Sequence, residues 1–115
     1  MIGAGMLPTM EPRVELLWWD GCPSTERALA DLRSALREAG VDPAAVELRE
    51  VISDEQAELE RFPGSPTIRI NGRDPFPGEE SIGLSCRIYR TADGRTSPTP
   101  DPQELRSAIA RLVAA

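Results

Sequence analysis

The chain of 115 residues has no histidine and no lysine; all thirteen basic residues are arginine. Histidine general bases, Cys–His dyads, imidazole metal ligands and lysine Schiff bases are therefore excluded. Arginine does not release a proton near neutral pH. Carboxylates, one tyrosine and two cysteines carry what ionisable chemistry is left. No apolar run approaches the length of a membrane span. The opening MIGAGMLPTM has neither a basic start nor a long apolar core, so it does not read as a signal peptide. Residues 1–12 are expected to form a flexible tail, with Met10 a candidate start, and 13–115 a single domain. A net charge of −6 argues against nucleic acid or an anionic membrane as partner. With so few cysteines in a chain long enough to build a core without staples, a cytoplasmic protein with reduced thiols is expected.

What is present alternates between two periodicities. Val14–Trp19 is apolar but for Glu15, as in a strand buried on both faces. Ala28, Leu29, Leu32, Ala35, Leu36 and Ala39 form a helical stripe over 24–39, with Gly40 as its stop. Val46–Ile52 reads as a second strand. Ser53–Gln56 matches a capping box opening a short helix that ends near Phe62. Thr67–Asn71 is a third strand turning at Asn71-Gly72. Residues 73–85 are irregular, and GRDPFPG at 72–78 reads as a turn-rich connector in preference to an acidic lid. Cys86–Thr91 is a fourth strand, expected antiparallel to the third. Asp101, Pro102 and Glu104 open a last helix whose buried face is Leu105, Ala108, Ile109 and Leu112. The order β-α-β-α-β-β-α predicts one α/β domain with a four-stranded mixed sheet.

One thiol stands at a strand-to-helix junction, in LLWWDGCPST. Proline favours the first helical position, so Pro23 makes Cys22 the expected N-cap. A thiolate there accepts the free N–H groups of the first turn and meets the positive end of the helix dipole. Both effects lower a thiol pKa and create a nucleophile, while Asp20 and Glu26 oppose them. Trp18, Trp19 and Phe62 read as core or pocket wall, and Arg87 and Arg90 as solvated strand residues.

These residues resemble the thioredoxin-like superfamily: the element order, aromatics followed by Cys22-Pro23 at the first long helix, and GSPT at Gly64–Thr67 before the third strand. The resemblance implies a cis Ser65-Pro66 bond facing Cys22. It also implies that Ser65, Pro66 and Thr67, with Trp19, bind an extended thiol or disulfide substrate, either a protein or a low-molecular-weight compound. The sequence departs from C-x-x-C, because Thr25 stands where a second cysteine is expected. A hydroxyl supports a thiolate but does not resolve a mixed disulfide. The implied activity is monothiol-type thiol–disulfide exchange at Cys22. Pro23, Thr25 and Asp20 support it, Cys86 or an external thiol resolves the product, and no cofactor or resident metal is involved. GSPT followed by SCRIY is also similar to short alkylmercury-lyase-like proteins. That similarity implies two alternatives: a non-catalytic module binding a soft metal such as mercury, or organomercurial cleavage by Cys22, Cys86 and Asp20 or Asp74. An antiparallel fourth strand would carry Cys86 away from Pro66.

Overall fold

A computed structural model describes residues 12–78 and 81–114. The expected tail, 1–12, lies outside the described residues except for its last position. The described chain forms an α/β unit in the order β1 (Val14–Trp18), α1 (Thr25–Glu38), a 3-10 turn at Pro43–Ala45, β2 (Val46–Glu50), α2 (Asp54–Glu60), β3 (Thr67–Ile70), β4 (Tyr89–Arg90), β5 (Thr96–Ser97) and α3 (Pro102–Ala114). Among the described residues, no helix is long and apolar enough to cross a membrane.

β1 is the central strand. It pairs parallel with β2, Leu16 opposite Leu48, and antiparallel with β3, Leu16 opposite Ile68. Alternation along β1 sends Val14 and Leu16 to one face, where they pack with Ile68 and Ile70 against Leu32, Leu36, Leu105 and Ile109 of α1 and α3. Leu17 points to the opposite face and meets Val51, Ala57 and Phe62 under α2. The expectation of a strand buried on both faces holds, and it includes Glu15, only 3% exposed. A carboxylate is tolerated there because Arg49 and Arg13 both bond it. Arg49 also bonds Glu60, and the Arg49 guanidinium is pushed above its ordinary range, chiefly by its hydrogen bond to Glu15.

Among the described residues the expected four-stranded sheet does not form. The main sheet has three strands, in the order β2-β1-β3, and β4 pairs with β5 in a separate antiparallel hairpin. Two local causes are visible. Asn71 and Gly72, at φ +52° and +80°, fold the chain back so that the Ile70 N–H is taken by the Arg73 carbonyl. That turn occupies the outer edge of β3 at its end. Further along, the 85–87 segment bonds to Ser65 instead, in a single parallel bridge between Ser65 and Cys86. Pro66 follows immediately and has no N–H to extend a ladder.

The starts of α2 and α3 and the end of α1 follow the predicted signals. Ser53 Oγ accepts the Gln56 N–H at 3.0 Å to start α2, and Asp101 Oδ1 accepts the Gln103 N–H at 2.8 Å to start α3. α1 ends one residue before Ala39, and Gly40 follows at φ +79°.

Candidate functional site

Ser65 is the junction of the site. Its hydroxyl accepts the Trp19 N–H at 3.1 Å. Its own N–H donates to the Ser85 carbonyl at 2.8 Å. Its carbonyl accepts from the Arg87 N–H at 2.9 Å and from the Cys22 thiol at a sulfur–oxygen distance of 3.4 Å. The end of β1, the start of α1, the entry to β3 and the Cys86 segment therefore converge on one buried residue. The Ser65-Pro66 peptide bond is cis, as expected.

Cys22 does not cap α1 in the way the Cys-Pro pair suggests. The helix begins at Thr25, with Ser24 as its N-cap residue and no side-chain cap. The reason is the turn before it: the Cys22 N–H donates to the Trp19 carbonyl at 2.9 Å, leaving Cys22, Pro23 and Ser24 between strand and helix. The sulfur nevertheless accepts the Ser24 N–H at 3.4 Å, so it meets a free donor at the helix start. Cys22 is 9% exposed. The Trp19 ring lies across Gly21, whose hypothetical Cβ would fall 2.4 Å from the indole, so a side chain there would push the ring aside. Asp20 and Pro23 are exposed beside it.

Thr25 does not support the sulfur by hydrogen bonding. Its buried Oγ1 has no hydrogen-bond partner among the described residues.

The parallel bridge to Ser65 brings Cys86 back to the site, against the expectation that an antiparallel strand would carry it away. Cys86 is exposed, and both cysteines are free thiols. Loss of water around its sulfur pushes the Cys86 thiol above its ordinary range. The charge of Cys22 and a hydrogen bond with it push in the same direction. Two thiols 86 − 22 = 64 positions apart in sequence are thus near enough for Cys22 to raise the Cys86 thiol.

Arg87 is not solvated. It is 2% exposed and ion-paired with Asp74 at 2.6 Å. It also donates to Thr67 Oγ1 at 3.3 Å and to the Phe76 carbonyl, and its guanidinium stands 4.5 Å from the Tyr89 ring centroid. Tyr89 in turn donates its hydroxyl to the Pro66 carbonyl. Arg90, by contrast, is exposed as expected. Asp74 uses its other oxygen to accept the Phe76 N–H at 2.7 Å. Both Asp74 oxygens are engaged, which ties the start of the connector to Arg87 and to Phe76. Gly64, at φ +120°, lets the Arg87 backbone approach; a Cβ there would sit 3.1 Å from the Arg87 nitrogen. Sequence reasoning missed Arg87, Tyr89 and Gly64. The available signal was an acidic residue, Asp74, ahead of SCRIY across an irregular connector.

Among the described residues, no group of three or more cysteines and carboxylates is arranged to hold a metal. A cleft of about 560 Å³ lies between the connector, the β4–β5 hairpin and the start of α3, lined by Phe76, Tyr89, Pro100 and Glu104 among others, and includes neither thiol. Comparison with protein-family models, curated proteins and solved structures finds no match to this chain.

Proposed function

We propose that this chain performs thiol–disulfide exchange in a thioredoxin-like arrangement, with Cys22 as nucleophile and Cys86 as the second thiol. The observation that carries the reading is the convergence of both cysteines on Ser65: Cys22 through its bond to the carbonyl, Cys86 through the parallel bridge. The Ser24 N–H gives the Cys22 sulfur a donor that survives loss of its proton. Cys86 holds its proton more tightly than an ordinary thiol, chiefly through loss of water around its sulfur and then through the neighbouring Cys22.

The steps balance. The Cys22 thiolate attacks a disulfide R–S–S–R′, forming Cys22–S–S–R and releasing R′S⁻. Cys86, deprotonated as it attacks, displaces RS⁻ and forms a Cys22–Cys86 disulfide. The substrate gains two electrons and the protein dithiol loses them. An external low-molecular-weight thiol restores the reduced pair. The substrate is a protein or small disulfide docking beside Ser65, Pro66, Thr67 and Trp19. The test is turnover of a chromogenic aromatic disulfide with a thiol reductant. Turnover that persists in Cys22→Ser contradicts the assignment.

A second reading rests on the same pair. Two facing thiols without a third donor suit a soft ion such as Hg(II), which accepts two-coordinate thiolate ligation, and not zinc, which takes four ligands. Tight binding of Hg(II) by a protein inert toward disulfides would favour this binding module over exchange.

A further inference from the structure

We propose that two copies of this chain join through β2, antiparallel about a two-fold axis at Leu48, extending the three-stranded sheet to a continuous six-stranded one. β2 is an edge strand, with β1 on one side only. The Val51 N–H bonds the Trp18 carbonyl at 2.8 Å, which fixes the alternation of the strand. Backbone groups of Glu47 and Arg49 face β1, whereas those of Val46, Leu48 and Glu50 face outward. The outer edge is capped at one end only. Gln56 Nε2 donates to the Glu50 carbonyl and its Oε1 accepts the Ile52 N–H, each at 3.0 Å. No hydrogen bond fills the outward N–H and C=O of Leu48 among the described residues, and its side chain is 49% exposed.

Charge selects the partner. Antiparallel pairing centred on Leu48 sets Leu48 opposite its own copy, Glu47 opposite Arg49 of the second copy, and Arg49 opposite Glu47. Both charged pairs lie on one face of the joined sheet, and Leu48 meets Leu48 on the other. Outward-facing backbone at Leu48 is what a hydrogen-bonded pair on a two-fold axis needs. A parallel partner or a register shifted by one residue would lose these matches. Edge strands in monomers usually carry an inward charge, a proline or a bulge; Val46–Glu50 has no proline or lysine, and its inward charge, Arg49, is neutralised by Glu15 and Glu60.

The proposal is tested by sedimentation of the reduced full chain over a concentration series reaching about 0.1 mM, the weak end of specific association. The wild type should approach twice the monomer mass. Leu48→Lys and Leu48→Glu, each placing like charges opposite one another on the axis, should be monomeric with unchanged circular dichroism. An equimolar mixture of the two variants should recover the doubled mass, because lysine then faces glutamate. A wild type that stays monomeric throughout overturns the proposal. So does a wild-type dimer that either variant leaves intact, or a mixture that fails to associate, since neither places Leu48 on the axis.

Discussion

Cys86 lies in a parallel bridge with Ser65, whose carbonyl also accepts the Cys22 thiol. Ser65 therefore anchors the Cys22 thiol and the backbone on either side of Cys86, two segments far apart in the chain. A substitution that loosens Ser65 should affect both thiols, and one that removes either thiol should be felt by the other.

Removal of Cys22 should lower the Cys86 pKa, because charge and hydrogen bonding from Cys22 both raise it. The Cys86 thiol should still titrate above its ordinary range in Cys22→Ser, since water loss is the largest cause. The sign carries over to stability. A thiol raised in the folded state disfavours folding as pH climbs from its unfolded to its folded value. Wild type should lose stability across that alkaline window, and Cys22→Ser should lose less. Thiolate absorbance against pH, with denaturant unfolding at matched pH values, measures both.

Asp74→Asn should destabilise the fold by about 2–3 kcal/mol, because it takes one carboxylate partner away from a buried guanidinium. Arg87→Met, which removes the charge itself and keeps much of the volume, should restore part of that loss in the Asp74→Asn background. Urea unfolding of the single and double variants supplies the comparison. Equal or additive losses would contradict a direct Asp74–Arg87 coupling.

Much of the architecture was legible because it rests on local signals: apolar periodicity for β1, α1 and α3, Ser53 and Asp101 as caps, and Asn71-Gly72 as a turn. Ser65, Pro66, Thr67 and Cys22 were legible as candidate site residues. The fate of 86–91 was not. Hydropathy alternation would turn Ile88 inward and Arg87 outward, yet Ile88 is 63% exposed and Arg87 buried. What reverses the alternation is a set of partners contributed by Asp74, Thr67, Phe76 and Tyr89, and their convergence is a tertiary fact. The same segment decides whether Cys86 joins the site, so the strand error and the Cys86 error have one origin. Cys22 was misplaced by a smaller cause. The Trp19–Cys22 turn competes with the helix for the residues around Pro23.

Thr25→Val should be neutral or stabilising by up to about 1 kcal/mol, because it replaces a buried hydroxyl lacking a hydrogen bond with a methyl group of similar size. Disulfide exchange should be unchanged. A marked slowing of exchange would show that Thr25 reaches the Cys22 sulfur during reaction.

The most direct test of the central claim is intact mass spectrometry after brief exposure of each reduced protein to a small aromatic disulfide. Wild type should appear at the oxidised, adduct-free mass, with Cys22 and Cys86 joined. Cys86→Ser should accumulate a mixed disulfide at Cys22, formed as fast as in wild type, and Cys22→Ser should remain largely unmodified. An adduct that forms first on Cys86, or a Cys86→Ser protein that reacts no faster than Cys22→Ser, would contradict the assignment of Cys22 as nucleophile.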